Sequence, residues 1–254
     1  MQRKTKEELL KIKQEITEHY TDLAGMVTPD SDPGYATTLN GLMHKGYLMV
    51  LYSELGILDR KDVEEFRQVV ISCEDAPGLY DRYPRVNELP KIENMNAHDD
   101  TRGVVAGSVV CDLYFHEDVL KYGLSNLFFY DNENESSFLN NSLSPNKWNW
   151  SGVRLRMWKD ISWYFLVNKT LRILTPLMLL AFTIQVLVGK VKYNQILDYM
   201  LVISMSRVSW IWNKFKLFYM RKSKLYASTV NYFGASHPIS QLALEVENNA
   251  RSIR

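Results

Sequence analysis

Apolar residues recur at helical spacing along most of this chain of 254 residues, and this pattern constrains the fold more than any other feature. Residues 5–24 place Leu9, Ile12 and Ile16 near a period of 3.6, with Lys and Glu between them. No segment alternates apolar and polar residues with the period of two that a half-buried strand requires. The pattern therefore predicts an all-α fold of helical hairpins joined by long polar loops.

Turn-forming residues divide the chain into two parts of unequal length. The stretch TPDSDPGY at 28–35 combines Pro, Gly and Asp, which interrupt helices and favour turns. It follows an N-terminal amphipathic helix within residues 1–27, so we predict a single helical domain over residues 28–254. Two stretches rich in polar and turn-forming residues, 76–97 and 128–152, are predicted as the long loops of this domain.

A helical hairpin is predicted directly after the first turn. The apolar run 37–55 is followed by the run 59–74, in which Asp59 is placed to cap the helix. Further along, Gly103 and Gly107 lie four residues apart, on one face of another predicted helix. Because glycine has no Cβ, a second helix or a ligand could approach the backbone there, and we favour close helix packing.

Charge and composition restrict the classes of partner. The chain has 30 Lys and Arg residues against 29 Asp and Glu, so no global field draws it to nucleic acid, which is not an expected partner. Cys73 and Cys111 lie in apolar helical patterns, which predicts buried thiols in a reducing compartment. The N-terminal segment lacks the apolar core of a signal peptide, so secretion by that route is not expected.

The most apolar run of the chain, 173–189, has two interpretations. A transmembrane helix needs about 20 consecutive apolar residues, and this run is bounded by Arg172 and Lys190. We therefore favour a buried core helix and keep a membrane-active role of residues 173–211 as the minor alternative. The stretch 213–226 interleaves basic and aromatic residues, which is typical of an exposed amphipathic helix or of a surface that binds phosphates.

Charged residues are concentrated in the stretch PGLYDRYPRVNELPKIENMNAHDDTRGVV at 77–105. Six of its side chains are candidates for a site: Tyr80, Arg82, Arg85, His98, Asp99 and Asp100. A carboxylate and a histidine can act as general base and acid, and an arginine can clamp an anionic ligand. Alternatively the aspartates cap the helix that starts here and pair with Arg82, Arg85 or Arg102, and we favour this structural interpretation. Folding should in either case bring Arg82, Asp99 and Asp100 close together. No full set of metal ligands is visible, so neither a metal nor a cofactor is predicted.

A second polar candidate lies in the first predicted hairpin. Asn40 and His44 are four residues apart and therefore share one face of a helix. They are candidate binding residues, although a satisfied polar pair in the core is the more usual explanation of such spacing.

Three motifs resemble those of a group of tailed-bacteriophage proteins. In that group an Asn-Gly helix precedes a Pro-Gly-aromatic-x-Arg-x-Pro turn and a His/Ser-Asp-Asp/Asn-x-x-Gly motif. The matching residues are Asn40, Gly41, Pro77, Gly78, Tyr80, Arg82, Pro84, His98, Asp99, Asp100 and Gly103. A later Trp-Gly-x-Arg element is matched by Trp150, Gly152 and Arg154, which adds Trp150 and Arg154 to the candidate binding residues. The resemblance covers residues 37–160 and implies a phage origin without implying a reaction.

Two functions from different classes follow. The first, which we favour, is a virion or virion-associated structural or interaction protein of a tailed bacteriophage. Such a protein would act in the virion or the host cytoplasm and bind other phage proteins, with homo-oligomerisation left open.

The second function rests on architecture. Helical hairpins with polar loops at one end resemble the α/α-toroid enzymes that cleave polysaccharides, so the fold is expected to be a bundle or a partial α/α-toroid. The protein would then be a carbohydrate-active hydrolase or lyase with a glycan substrate. Its catalytic candidates would be Arg82, His98, Asp99 and Asp100, since paired carboxylates suit sugar chemistry. The sequence leaves open whether the protein is an enzyme.

Overall fold

Helices make up most of the computed structural model, which describes residues 3–34, 40–84, 98–125, 163–168, 180 and 195–252. The named helices in these ranges are α1 (Lys6–His19), α2 (Gly41–Leu55), α3 (Arg60–Ser72), α4 (His98–Val110), α5 (Phe115–Ser125), α6 (Gln195–Val208), α7 (Trp210–Lys222), α8 (Leu225–Phe233) and α9 (Pro238–Ser252). The strands β1 (Glu74–Ala76) and β2 (Leu79–Tyr80) pair as a short antiparallel hairpin. The prediction of an all-α fold is confirmed.

Side-chain caps fix where α1 and α3 begin. The Asp59 carboxylate accepts hydrogen bonds from the backbone N–H groups two and three residues ahead, at 2.8 and 3.1 Å. The predicted cap of α3 is therefore confirmed. At α1, the Thr5 hydroxyl accepts from the Glu8 N–H at 3.2 Å, and the Thr5 N–H donates to the Glu8 carboxylate at 2.6 Å. This reciprocal pair satisfies two N–H groups at the start of α1.

The crossing of α2 and α4 lies at the centre of the fold. A Cβ on Gly46 of α2 would lie 2.1 Å from the carbonyl oxygen of Gly103, and one on Gly103 would lie 2.4 Å from that of Leu42. The two backbones can come this close because neither glycine has a side chain. The predicted helix packing at Gly103 is confirmed. Gly107, one turn further along α4, packs against an aromatic ring of α3.

The segment after α3 folds as the β1–β2 hairpin, where the sequence predicted an ordered turn without strands. Gly78 at its tip has a φ of 87°, a conformation that favours glycine. A Cβ at this position would lie 2.1 Å from the carbonyl oxygen of Asp118, so the hairpin packs directly on α5. The same packing brings the ring centroid of Tyr80 to 6.3 Å from that of Phe115, in the core.

Helix α6 contacts α2, α4, α7 and α8, and its residues 196–205 are buried. Hydrogen bonds between buried side chains are among the contacts that join the C-terminal helices to the rest. The Tyr47 hydroxyl lies 2.8 Å from that of Thr229, which links α2 to α8. The Trp163 indole N–H donates to the Ser204 hydroxyl at 3.0 Å, which links the helical turn at 163–167 to α6. Helix α9 packs against α1, α2, α7 and α8 and so covers this core.

Several predictions fall on residues that the structure does not describe. The apolar run 173–189 lies outside the described ranges except for Leu180, and so do the loop 128–152 and most of the loop 76–97. Their interpretations stay predictions. Among the helices that are described, none is long and apolar enough to cross a bilayer.

Candidate functional site

Asp100 is fully buried and caps the N-terminus of a neighbouring helix. Its Oδ1 accepts a hydrogen bond of 3.1 Å from the backbone N–H of Met43, in the first turn of α2. Asn40 occupies the N-cap position of α2, but its side chain makes no capping hydrogen bond to the described chain. Asp100 therefore supplies from α4 the acceptor that Asn40 does not. The expectation that Asp100 caps its own helix is wrong, because α4 already begins at His98.

Burial dominates the electrostatics of Asp100. It raises the pKa of this carboxyl well above its usual range. The Met43 N–H and the Arg82 guanidinium oppose this shift, with Arg82 Nε at 3.7 Å from Asp100 Oδ2. The dipole of α2 also favours the charged form at this end of the helix. A carboxyl with no exposed surface does not reach a substrate, so the contacts of Asp100 hold α2, α4 and the hairpin segment together.

Asp99 forms one of the ion pairs with arginine that the structural interpretation predicted. Its Oδ1 lies 2.6 Å from a guanidinium nitrogen of Arg102, three residues further along α4. We expected folding to bring Arg82, Asp99 and Asp100 together. Arg82 does reach Asp100, whereas Asp99 pairs within its own helix. Charges in the cluster are thus matched in pairs, which supports the structural interpretation.

The other candidates divide into one buried residue and several that are not described. Tyr80 has no exposed surface, and burial raises the pKa of its hydroxyl. It is therefore not available as a platform for a sugar ring. The side chain of His98 and the residues Arg85, Trp150 and Arg154 lie outside what the structure describes. Their roles in catalysis or binding stay predictions.

His44 lies in the core against α8. Its ring centroid is 4.6 Å from that of Phe233. The backbone of Val27 is near enough to favour the protonated ring, but neither ring nitrogen makes a hydrogen bond of ordinary geometry to any described residue. The satisfied polar pair expected for Asn40 and His44 is therefore not formed. Burial lowers the pKa of His44 from 6.5 to about 4, and the nearby His237 contributes to this shift.

His237, which the sequence did not single out, joins α9 to the loop after α1. Its Nδ1 accepts from the Ile239 N–H at 3.1 Å, so Nε2 carries the proton and donates to the Thr28 carbonyl at 2.9 Å. The ring also packs edge-on against Tyr20, with centroids 4.3 Å apart. Its position directly before a proline at a helix start was the available signal, since side chains there often cap helices.

The buried His44 ring predicts that acid destabilises the fold. Its pKa is about 4 when folded and 6.5 when exposed, so the unfolded chain binds more protons between these values and stability falls as the pH falls. Between pH 7 and pH 4 the free energy of unfolding should fall by about 3 kcal/mol more in the wild-type protein than in His44→Leu. Denaturant unfolding at both pH values measures this difference.

The comparison with His44→Leu is needed because the pKa values of other buried groups are raised, which has the opposite effect on stability as the pH falls. Burial raises the pKa of Asp62, Asp100 and Glu247, which adds stability on acidification. These groups are present in both proteins, so their contribution cancels. His19→Gln, at an exposed position, is the control and should behave as wild type. An equal loss of stability in His44→Leu and wild type would contradict the prediction.

Arg82→Ala should cost about 1–3 kcal/mol of unfolding free energy, because it removes the cation beside a buried carboxyl. The side chain is 19% exposed, and Asp100 can take up a proton when the cation is lost, so the cost stays below that of removing Asp100 itself. Thermal or urea unfolding measures it. Arg67→Ala, at an exposed i,i+3 pair with Glu64, should cost less than about 1 kcal/mol. Equal effects of the two variants would contradict a structural role for Arg82.

The outer side of α7 carries aromatic and basic side chains together. Trp210 is 74% exposed, and Ile211 and Phe218 are each 38% exposed. Trp210, Lys214 and Phe218 are spaced by four residues and so lie along one side of the helix. Its other side is anchored in the core by Trp212, Tyr219 and Met220. We call the exposed set the α7 face: Trp210, Ile211, Lys214, Phe218 and Arg221.

Comparisons of the chain with protein-family models, with curated proteins and with solved structures give no match. Within the ranges described, no three side chains of His, Cys, Asp or Glu come together as a metal site. The α7 face and the contacts of the charged cluster are therefore the features of the described chain that bear on function.

Proposed function

We propose that the protein is a virion or virion-associated structural and interaction protein of a tailed bacteriophage, and that it binds other phage proteins through the α7 face. The observation that carries the proposal is Trp210, an aromatic side chain with 74% of its surface exposed on a helix whose other side is buried. Binding energy at protein interfaces concentrates on Trp, Tyr and Arg. Exposed apolar side chains gathered in one patch, with polar residues around them, are typical of a contact surface.

The charge around the α7 face favours an acidic partner. Residues 199–244 contain no Asp or Glu. The Lys and Arg residues in this segment are Arg207, Lys214, Lys216, Arg221, Lys222 and Lys224. Lys216 is paired within the chain, 2.9 Å from the Glu54 carboxylate, whereas Lys214 stands exposed beside Trp210. Complementary charge on a partner would add specificity and speed to its association.

The charged cluster supports a non-catalytic function. Asp100 is buried as the cap of α2, and Asp99 is engaged with Arg102. Two carboxyls that the carbohydrate-active alternative requires are thus in contacts that hold helices. The resemblance of residues 37–160 to tailed-phage proteins supports the phage origin.

Loss of the exposed aromatics tests the proposal. Trp210→Ser with Phe218→Ser, encoded in the phage, should reduce the copies of the protein per purified particle at least about tenfold, because each lost interface anchor costs about 2 kcal/mol. Quantitative mass spectrometry of the particles measures the ratio. Leu10→Ser, at an exposed apolar position on α1, is the matched control and should leave incorporation unchanged.

The variant must also be folded for the test to hold. Its melting temperature should stay near that of wild type, because both changed side chains are exposed. A folded double variant that enters particles at the wild-type level would contradict binding through the α7 face.

A further inference from the structure

We infer that the neighbour bound on the α7 face is a second copy of this chain, which presents an acidic edge built from the β1–β2 hairpin and the turn between α4 and α5. This inference rests on the proposed function, because it names the partner of the same surface. The acidic edge consists of Glu74, Asp75, Asp112, Tyr114, Glu117 and Asp118.

The hairpin packs on α5, which brings acidic residues of the two elements close together. The tip of the hairpin at Gly78 lies directly against the backbone of Asp118. Glu74 on β1 and Asp118 on α5 both lie close enough to the Tyr80 hydroxyl to raise its pKa. Residues from two separate parts of the chain therefore come together at this edge.

The two surfaces are complementary in charge. The acidic edge has five carboxylates, of which that of Asp118 lies 3.0 Å from the Lys121 ammonium group. The α7 face has Lys214 and Arg221 and lies in a segment without any acid. Opposite charge across an interface steers association and fixes the register of the two partners.

The two surfaces also match in their apolar content. Tyr114 on the acidic edge is 74% exposed, the same fraction as Trp210 on the α7 face. Aromatic side chains pair favourably with one another and with cations. Each surface therefore offers an aromatic anchor surrounded by charge, which is the composition of an interface centre with a polar rim.

The pairing is between copies and not within one chain. Helix α7 packs against α6 and α9, whereas the acidic edge packs against α4. The high exposure of both Trp210 and Tyr114 shows that neither surface covers the other within one molecule. A contact between two different surfaces is heterologous, so each copy can bind one neighbour on either side. Such contacts build a ring if the rotation closes and a filament if it does not.

Charge reversal on either surface is the first test, measured by sedimentation velocity of the purified full chain. Lys214→Glu with Arg221→Glu, and separately Asp112→Lys with Glu117→Lys, should each weaken self-association at least about tenfold. Lys61→Glu, at an exposed position of α3 that belongs to neither surface, is the control and should leave self-association unchanged. Raising the salt concentration should weaken the wild-type association, since exposed charges are screened.

The combination of both reversals in one chain is the decisive variant. It places two carboxylates on the α7 face and two lysines beside the three carboxylates that remain on the acidic edge, so association should recover part of what each reversal alone removes. Trp210→Ser and Tyr114→Ser, at highly exposed positions where folding is not at risk, should each weaken association without any change of charge.

The inference would be overturned by a wild-type chain that stays monomeric at high micromolar concentration. An acidic-edge reversal without effect, or a combined variant that associates no more strongly than either reversal alone, would overturn it as well. Binding of the α7 face to vesicles of phosphatidylcholine and phosphatidylserine in place of self-association would also overturn it and assign the face to lipid. The proposed function is tested separately by particle incorporation. If incorporation depends on Trp210 while self-association is absent, the inference fails and a different phage protein occupies the α7 face.

Discussion

Gly103→Ala is expected to lower the free energy of unfolding by about 3 kcal/mol or more, at or above the upper end of the usual penalty for overpacking. The added Cβ would lie 2.4 Å from the Leu42 carbonyl oxygen and 2.5 Å from the Met43 Cα. These are backbone atoms of α2, so no side-chain rotation relieves the clash and the two helices must separate. Urea denaturation followed by circular dichroism measures the loss.

Gly56→Ala is the matched comparison, because it adds the same methyl group where no described atom lies within 4 Å. Gly56 ends α2 with a φ of 67°, so alanine there bears only the strain of the left-handed conformation, about 1 kcal/mol. Gly46→Ala, on the other side of the crossing, should be as damaging as Gly103→Ala. If Gly103→Ala cost no more than Gly56→Ala, the close contact of α2 and α4 would be contradicted.

Asp100→Ala is expected to cost about 3 kcal/mol, because it strands the Met43 N–H at the buried start of α2 and leaves the Arg82 cation without its carboxyl. The loss should appear as a lower urea midpoint with an unchanged dependence on denaturant. Hydrogen exchange should show the first turn of α2 opening more readily than its remaining turns.

Asp100→Asn separates the capping role from the charge. The amide oxygen can still accept from the Met43 N–H, and burial already favours the uncharged form of the carboxyl, so this variant should lose only about 1 kcal/mol. Asp99→Asn, which breaks a partly exposed pair with Arg102, should cost less than about 1 kcal/mol. A catalytic account would instead expect Asp100→Asn to remove an activity without loss of stability.

Local patterns predicted the helices because helix formation depends on neighbours three and four residues apart. The position of α3 followed from its apolar period and from Asp59, whose carboxylate bonds only the next few residues. The close packing at Gly103 was also accessible, since a missing Cβ has few other uses in a helix. What the sequence could not give was the partner, which is Gly46 on α2.

Contacts between distant residues were the part that sequence reasoning missed. Asp100 accepts its hydrogen bond from Met43, 57 residues earlier in the chain, so the residues around Asp100 indicated only a cap for α4. Tyr80 was predicted as a candidate site residue, but the hairpin folds onto α5 and buries it. On α7 both sides carry aromatics, so periodicity alone did not show that Trp210 is exposed while Trp212 is buried.

Mass spectrometry of purified virions tests the central claim most directly. If the protein is a phage virion protein as proposed, phage particles purified by density gradient and washed in high salt should contain it in a fixed number of copies per particle. The wash removes proteins that adhere only through weak exposed charges, which salt screens. Absence of the protein from such particles, together with cleavage of a polysaccharide by the purified chain, would contradict the proposed function and favour the carbohydrate-active alternative.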